Sequence, residues 1–319
     1  MGPGRTRDVL APFLENGGSL ILDGGLATEL QARGFDLNHP LWSARLLREA
    51  PEAIVAVHHA YLEAGADCIT SASYQATVDG FMREGLSHGA ATDLLPRSVK
   101  LATDARDAFW NVAANRVGRK RPLVAASVGP YGAALANGAE YTGAYDRDEA
   151  GLREFHRDRL RLLAAAGAVL LACETIPSAG EARALASLLA ESEGVAAWFS
   201  FSCRDGLHIN DGTPLADCAR FLAPHPQVLA IGVNCTSPEF AASLVASVAA
   251  VAEKPAVAYP NSGESYNAVT KTWSGAAAGE WGGLGREWRD AGARLIGGCC
   301  RTGPGHVRAL RQALVPAAP

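Results

Sequence analysis

Eight short apolar segments recur along the sequence, and segments with helical periodicity separate them. Each apolar segment is a nearly continuous hydrophobic run, which is typical of parallel strands that are buried on both faces. Strands that alternate with helices in this way predict an α/β fold around a parallel sheet. The segments are SLILDGG (19–25), ADCITSASY (66–74), PLVAASVGP (122–130), AVLLACETIP (168–177), AAWFSFSC (196–203), VLAIGVNCT (228–236), AVAYPNSG (256–263) and ARLIGGCC (293–300).

A weak internal repeat supports a regular strand–helix unit. The segments EAGADCIT, AAGAVLLA and DAGARLIG each end a predicted helix with a glycine and enter a strand two residues later. Gly65, Gly167 and Gly292 would allow the left-handed conformation that closes a helix. We therefore expect the same helix-to-strand connection at three places in the chain.

Two of the predicted helices have recognisable starts. Pro51 is suited to the first turn of one helix, and Asp146 with Glu149 three residues later is suited to capping another. His58 and His59 lie on the first of these helices, without a spacing typical of metal ligands. We expect both histidines at the surface or at the edge of the core.

The number of strand–helix units predicts the architecture. Eight units favour a single (β/α)8 TIM barrel, and no linker rich in proline, glycine or serine divides the chain. We predict one domain over residues 1–319 with its core at about 19–312, and an open doubly wound sheet is the alternative.

Composition excludes several classes of function. The net charge is −4, which gives no electrostatic footprint for binding nucleic acid. No apolar run reaches the length of a membrane span, and the first residues do not resemble a signal peptide. We therefore expect a cytoplasmic protein that acts on small molecules. We also expect a monomer, because no predicted helix has a continuous exposed apolar seam.

Three cysteines follow strands that a barrel would bring to one mouth. Cys235 ends the sixth apolar segment, and Cys299 and Cys300 end the eighth behind Gly297 and Gly298. The glycines are expected to let the backbone turn so that both thiols point inward. Three thiolates with one open position would form a catalytic zinc site.

The alternative for any cysteine is that it is a small buried hydrophobe. The chain has seven cysteines, and a cytoplasmic location favours buried, metal-binding or catalytic roles for them over disulfides. Four cysteines that lack the glycine-rich context are assigned to the core: Cys68, Cys173, Cys203 and Cys218.

The motifs around these cysteines resemble the zinc-dependent homocysteine S-methyltransferase family. The family pattern is carried by LDGGLATEL (22–30), GVNC (232–235) and GGCC (297–300). Further motifs resemble its compact members that use S-methylmethionine or S-adenosylmethionine: TSASYQAT (70–77), ASVGPYGAALANGAEYTG (126–143), CETIP (173–177), YPNSGE (259–264) and GGCCRTGP (297–304). The resemblance implies a (β/α)8 barrel that holds one Zn²⁺ on Cys235, Cys299 and Cys300.

The implied reaction is methyl transfer from a sulfonium donor to the zinc-bound thiolate of homocysteine, giving methionine. Zinc would keep the thiol ionised at neutral pH, and the donor sulfonium is already activated. Two alternatives stay open: a zinc hydrolase with a metal-bound water, and a non-catalytic redox sensor whose cysteines oxidise when zinc is lost. Cobalamin is not expected, because one barrel fills the chain.

Polar residues at the other strand ends are candidates for substrate binding. Asp23 and Glu174 are expected to bind the homocysteine ammonium group, and the resemblance also assigns Glu174 to substrate binding. Thr70 and Ser73 would hydrogen-bond its polar end, and Asn234 would orient these groups. The alternatives are a turn role for Asp23 and an ion pair between Glu174 and a helix arginine.

Aromatic residues on the predicted rim loops are candidates for binding the cationic donor. An aromatic face attracts a cation, although each such residue is also suited to simple packing. The candidates are Tyr131, Tyr141, Tyr259, Tyr266 and Trp273.

Overall fold

Ten strands and thirteen α-helices make up the described part of the chain. The computed structural model describes residues 8–267 and 272–315. The strands are β1 (Leu20–Ile21), β2 (Cys68–Thr70), β3 (Leu123–Val128), β4 (Leu170–Ile176), β5 (Ala196–Phe201), β6 (Val228–Asn234), β7 (Ala256–Tyr259), β8 (Ser265–Asn267), β9 (Thr272–Ser274) and β10 (Ala293–Ile296).

Helices follow most of the strands. They are α1 (Ala11–Leu14), α2 (Leu26–Ala32), α3 (Leu46–Glu49), α4 (Pro51–Ala64), α5 (Val78–Arg83), α6 (His88–Asn111), α7 (Tyr131–Leu135), α8 (Glu149–Ala165), α9 (Ala179–Ala190), α10 (Leu215–Leu222), α11 (Pro238–Ala249), α12 (Trp281–Asp290) and α13 (Pro304–Leu314). Short 3₁₀ helices span Glu15–Gly17, Trp42–Arg45, Ala113–Arg116 and Ala139–Tyr141.

Eight of the strands form one parallel sheet in the order β1-β10-β7-β6-β5-β4-β3-β2. A parallel bridge between Leu22 and Cys68 joins its two edge strands, so the sheet is a nearly closed barrel. The predicted (β/α)8 barrel is therefore confirmed. Strands β8 and β9 form a separate antiparallel hairpin on the connection between β7 and α12.

Side chains that alternate along the strands form two hydrophobic clusters. One contains Leu20, Trp198 and Val257 and includes no residue of helices α2 to α13, so it fills the inside of the barrel. Leu10 and Phe13, at helix α1, join this cluster. The other cluster contains the alternate strand residues and packs against the helices. The same alternation turns Cys173 toward the helices and Glu174 into the barrel.

The predicted glycine connections are confirmed. Gly65, Gly167 and Gly292 have φ angles of 111°, 85° and 122°, which only glycine adopts without strain. Helix α4 begins at Pro51 as expected. His58 on the same helix is fully buried, so its expected place at the surface or core edge is wrong, whereas His59 is partly exposed.

No helix among residues 8–267 and 272–315 is long and apolar enough to cross a membrane. A single domain over 1–319 and a cytoplasmic location stay predictions.

Candidate active site

Three thiols meet at the carboxyl end of the barrel. The sulfur atoms of Cys235, Cys299 and Cys300 all lie within 4.8 Å of one another, and Cys235 Sγ is 3.5 Å from Cys300 Sγ. The last residue of β7 and the residue after it hold both cysteine segments, because the Tyr259 carbonyl accepts from the Cys235 amide and the Pro260 carbonyl accepts from the Cys299 amide. Cys235 and Cys299, which are 64 positions apart in sequence, are thus held by hydrogen bonds to two adjacent residues.

The backbone beside the thiols has an unusual conformation. Cys235, Thr175 and Arg301 have φ angles of 49°, 60° and 65°, in the left-handed region that non-glycine residues seldom occupy. Each follows directly after a candidate site residue, at Asn234, Glu174 and Cys300. Such residues persist only where their surroundings hold them, and they cluster at functional sites.

The glycines before the cysteine pair serve close packing rather than a special turn. Neither Gly297 nor Gly298 has a positive φ angle. A Cβ atom on Gly297 would lie 2.5 Å from Leu22 Cβ, and one on Gly298 would lie 2.3 Å from Thr302 Oγ1. The expected turning role through a left-handed backbone is therefore wrong: Gly297 lets the last strand approach the end of β1 closely, and Gly298 leaves room for the Thr302 side chain.

The chemistry of the three thiols suits a thiophilic metal. Hydrogen bonds from the Cys299 and Cys300 thiols lower the pKa of Cys235 well below its usual value. The same contacts with Cys235 raise the pKa of Cys299 and of Cys300. One thiolate supported by two thiols is a donor set that a divalent ion would bind with release of the remaining protons.

The other cysteines lie apart from this cluster. Cys68, Cys173 and Cys218 are buried in the core and Cys203 is half-buried. Burial raises the pKa of all four thiols, that of Cys218 to about 12. They fit the expected role of small core side chains.

A cavity of about 520 Å³ opens beside the thiols. Asp23, Thr70 and Glu174 line it together with Cys235, Cys299 and Cys300. This volume is in the range of small-molecule sites.

Two buried carboxyl groups face this cavity. Asp23 accepts hydrogen bonds from the Thr70 amide at 2.7 Å and from the Thr70 hydroxyl at 3.0 Å. Glu174 accepts from the hydroxyls of Ser127 and Tyr259. Burial raises the pKa of Asp23 to about 8 and that of Glu174 to about 7, so each carboxylate lacks a full complement of positive partners.

Neither alternative assigned to these carboxyl groups accounts for them. Glu174 bonds to two hydroxyl groups, and no arginine among the described residues pairs with it. Asp23 links the end of β1 to β2 through Thr70.

Asn234 and Ser73 lie behind the cavity wall rather than on it. Asn234 is fully buried; its Oδ1 accepts from the Thr175 amide at 2.6 Å, and its Nδ2 donates to Thr175 Oγ1 and lies 3.7 Å from Cys299 Sγ. The Ser73 hydroxyl donates to the Ser127 carbonyl and pairs with the Ser71 hydroxyl. Both side chains hold neighbours of the cavity in place, and a direct contact with substrate stays a prediction for them.

The aromatic candidates divide between the cavity and the core. Tyr141 and Trp273 line the cavity, and the Tyr141 hydroxyl is 3.6 Å from Cys235 Sγ. Tyr259 reaches the lumen, where its hydroxyl contacts Glu174 and Ser200. Tyr131 packs between Tyr145 and Phe155. The side chain of Tyr266 lies outside the described residues.

Sequence reasoning missed Ser127, which donates to Glu174, and the role of Tyr259 as its second donor. Ser127 is the last polar residue of the third apolar segment, one position before that strand ends. A polar residue near the end of an otherwise apolar barrel strand was the signal that would have identified it.

Comparison with known proteins gives consistent matches along the chain. A family model described as homocysteine S-methyltransferase matches residues 20–314. The Bacillus subtilis protein "Homocysteine S-methyltransferase YbgG" is 51% identical over 292 residues, which cover 91% of this chain and 93% of that protein.

Solved structures also match over nearly the whole chain. The homocysteine methyltransferase MmuM from Escherichia coli in its metallated form superimposes with a TM-score of 0.85 at 44% identity, covering 95% of this chain and 98% of that one. The oxidized form of the same protein also gives a TM-score of 0.85, at 44% identity and covering 96% and 99% of the two chains.

Proposed function

Because the chain belongs to the homocysteine S-methyltransferase family and is therefore a transferase, we propose that it methylates homocysteine from a sulfonium donor, either S-methylmethionine or S-adenosylmethionine. The observation that carries this proposal is the three-thiol cluster on the wall of a cavity that also holds two buried carboxyl groups. A thiol substrate with an ammonium group is complementary to this arrangement.

We propose that Cys235, Cys299 and Cys300 hold one zinc ion. Thiolate ligands favour zinc among the common divalent ions, and three protein ligands leave a position open. The existence of a metallated form of MmuM, which has the same fold, supports the binding of a metal ion. Held by these three residues, the ion would supply the positive charge that keeps a substrate thiol deprotonated at neutral pH.

Asp23 and Glu174 are proposed to bind the homocysteine ammonium group. Both carboxyl groups are buried on the cavity wall, and this burial raises the pKa of each. An ammonium group would supply a compensating positive charge, while Thr70, Ser127 and Tyr259 hold the carboxylate oxygens in position.

Asn234 is proposed to orient Cys299. Its amide is fixed by two hydrogen bonds to Thr175, and its remaining N–H points toward the Cys299 sulfur. A hydrogen bond to a thiolate tunes its basicity and fixes its direction.

The methyl transfer itself requires alignment. The homocysteine sulfur attacks the methyl carbon, the carbon–sulfur bond of the donor breaks, and its electron pair returns to the donor sulfur. The donor leaves as a neutral thioether, so the site needs no acid to protonate it. Holding both sulfur atoms and the methyl group in line is worth up to about 7–11 kcal/mol in model reactions.

The two other functions considered from the sequence are not retained. Membership in a transferase family argues against a hydrolase and against a non-catalytic redox sensor as the main role. Three thiolates also make a metal ion a weak Lewis acid, which disfavours activation of water.

The proposal predicts that Cys235→Ser lowers both zinc content and activity. We expect about one zinc per chain in the wild type and methionine formation from homocysteine and a sulfonium donor. In the variant we expect a loss of at least about 100-fold in kcat/KM, because one of three metal ligands is gone. The measurements are metal analysis of the purified protein and a methionine assay with each donor, with and without a chelator.

Cys203→Ser is the matched control, because Cys203 is half-buried and lies outside the cluster. It should keep the zinc and the activity of the wild type. Full activity of Cys235→Ser after chelation would refute the proposed mechanism.

A further inference from the structure

One carboxylate on the cavity wall has no role in the reaction described so far. Glu140 lines the cavity on the wall formed by the connection after β3. Its Oε2 atom is buried and has no hydrogen-bond partner among the described residues. An unpaired buried carboxylate oxygen destabilises the protein unless a ligand supplies the missing charge.

The backbone holds Glu140 at this position from two sides. The Ser202 hydroxyl at the end of β5 donates to the Glu140 carbonyl at 3.1 Å. On the other side, a Cβ atom on Gly132 would lie 2.4 Å from the Glu140 amide nitrogen, so only glycine permits the observed contact. The 3₁₀ helix Ala139–Tyr141 holds the Glu140 backbone directly before Tyr141, whose hydroxyl lies 3.6 Å from Cys235 Sγ.

The charges around the cavity are unbalanced. Four carboxyl groups line it, those of Asp23, Asp36, Glu140 and Glu174, and of these only Asp36 is exposed. Arg301 is the only lysine or arginine among the described residues that line it, and Arg301 is already paired with Glu264 at 2.9 Å. One homocysteine ammonium accounts for Asp23 and Glu174 but leaves Glu140 without a counter-charge.

We infer that Glu140 is the counter-ion of the methyl donor's sulfonium group and so makes the site selective for cationic donors. This inference rests on the proposed methyl transfer. A sulfonium ion carries a permanent charge and has no N–H or O–H to donate, so a carboxylate with a free oxygen is the partner that suits it. The charge is lost from the donor when the methyl group leaves, so the same contact favours release of the thioether product.

The test is the variant Glu140→Gln, which keeps the shape of the side chain and removes its charge. We expect the KM of the sulfonium donor to rise by about tenfold or more, while the KM of homocysteine changes by less than about twofold. Glu140→Asp should restore part of the donor affinity. Glu239→Gln is the matched control, because Glu239 is exposed on α11 outside the cavity, and it should leave both constants unchanged.

Two further measurements do not depend on catalysis. Calorimetric titration with trimethylsulfonium chloride should show weaker binding to Glu140→Gln than to the wild type, because this probe carries only the sulfonium charge. The unliganded variant should melt at the same temperature as the wild type or higher, since it no longer buries an unpaired carboxylate. A purely structural role for Glu140 predicts the opposite, a lower melting temperature.

The outcomes separate this inference from the proposed function. Absence of methionine formation by the wild type with both sulfonium donors would refute the methyl transfer, and the trimethylsulfonium titration would still report on Glu140. Equal donor KM values in the wild type and Glu140→Gln, an equal rise in the homocysteine KM, or equal binding of trimethylsulfonium would overturn the inference.

Discussion

Two buried histidines differ in whether they have partners. His156 on α8 contacts Glu181 at 2.8 Å, whereas neither ring nitrogen of His58 on α4 has a hydrogen-bond partner among the described residues. Burial lowers the pKa of His58 to about 4, from an ordinary value near 6.5. His58 therefore stays neutral in the folded protein over a range in which the unfolded chain takes up a proton.

This difference predicts an acid-sensitive contribution to stability. The contribution of the neutral His58 to the free energy of unfolding is complete above pH 6.5. It is lost as the pH falls toward 4, because only the unfolded state binds the proton between these pH values. Between pH 7 and pH 5 the loss is about 2 kcal/mol. We expect the variant His58→Leu to lack this part of the pH dependence in denaturant unfolding.

The exposed neighbour His59 provides the control for this experiment. His59→Leu should keep the pH dependence of the wild type, since His59 is partly in solvent. If His58→Leu and the wild type lost stability in parallel from pH 7 to pH 5, the assignment to His58 would be wrong.

At the scale of single elements, strand β6 depends on one glycine for its approach to β7. Gly232 pairs with Val257, and a Cβ atom at this position would lie 1.9 Å from the Val257 carbonyl oxygen. The strand ends two residues later in Asn234 and Cys235, so the close approach also sets the position of a candidate metal ligand.

Gly232→Ala is therefore expected to destabilise the fold by several kcal/mol, on the order of 3 or more, because a strand must move to make room. Denaturant unfolding and the yield of soluble protein measure this effect.

Gly180→Ala is the control: Gly180 lies in α9 with only the Arg183 side chain near its Cβ position, at 3.8 Å. The Gly180→Ala change should raise the free energy of unfolding by about 0.4–1 kcal/mol. Similar stabilities for the two variants would show that β6 can shift freely.

The start of helix α8 shows how a local signal can be displaced. The sequence favoured Asp146 as its cap, but Asp148 performs this role by accepting a hydrogen bond from the Gly151 amide. Asp146 instead accepts from the Tyr131 hydroxyl at 3.2 Å. Asp148 has Gly151 rather than a glutamate three residues later, so the pattern of Asp146 with Glu149 did not mark the residue that caps the helix.

At the scale of the whole molecule, Asp67 closes the barrel at its seam. Its carboxylate accepts from Arg311 on α13 at 2.7 and 2.8 Å and from the Ile21 amide on β1 at 3.2 Å. Its own amide donates to the Ile21 carbonyl. The residue before β2 thus joins β1, β2 and the last helix, where the sheet itself is linked by a single bridge.

Asp67→Asn should therefore cost about 3 kcal/mol in unfolding free energy, because Arg311 is left partly buried without its partner. Asp217→Asn breaks an exposed ion pair with Arg220 and should cost less than about 1 kcal/mol. Equal losses of unfolding free energy in the two variants would mean that the ion pair of Asp67 with Arg311 behaves as a surface pair.

The monomer expected from the sequence stays a prediction.

The sequence alone determined the barrel and predicted that Cys235, Cys299 and Cys300 meet in it. Parallel strands that are buried on both faces must be continuously apolar. Each helix must also end before the next strand begins, and the Ala-Gly-Ala connections are the sequence pattern of those ends. Cysteines behind glycines at two strand ends then meet, because a barrel brings all its strand ends to one mouth.

Only the tertiary structure decided which polar groups face the cavity and which support it. Ser73 and Asn234 face other protein groups, and Ser127 and Tyr259 hold Glu174. The Glu140 Oε2 atom has no hydrogen-bond partner within the described part of the chain. The reason is physical: whether a buried polar atom has a partner depends on side chains that are distant in sequence. That condition leaves no local pattern, because it is settled only when the strands, loops and helices pack together.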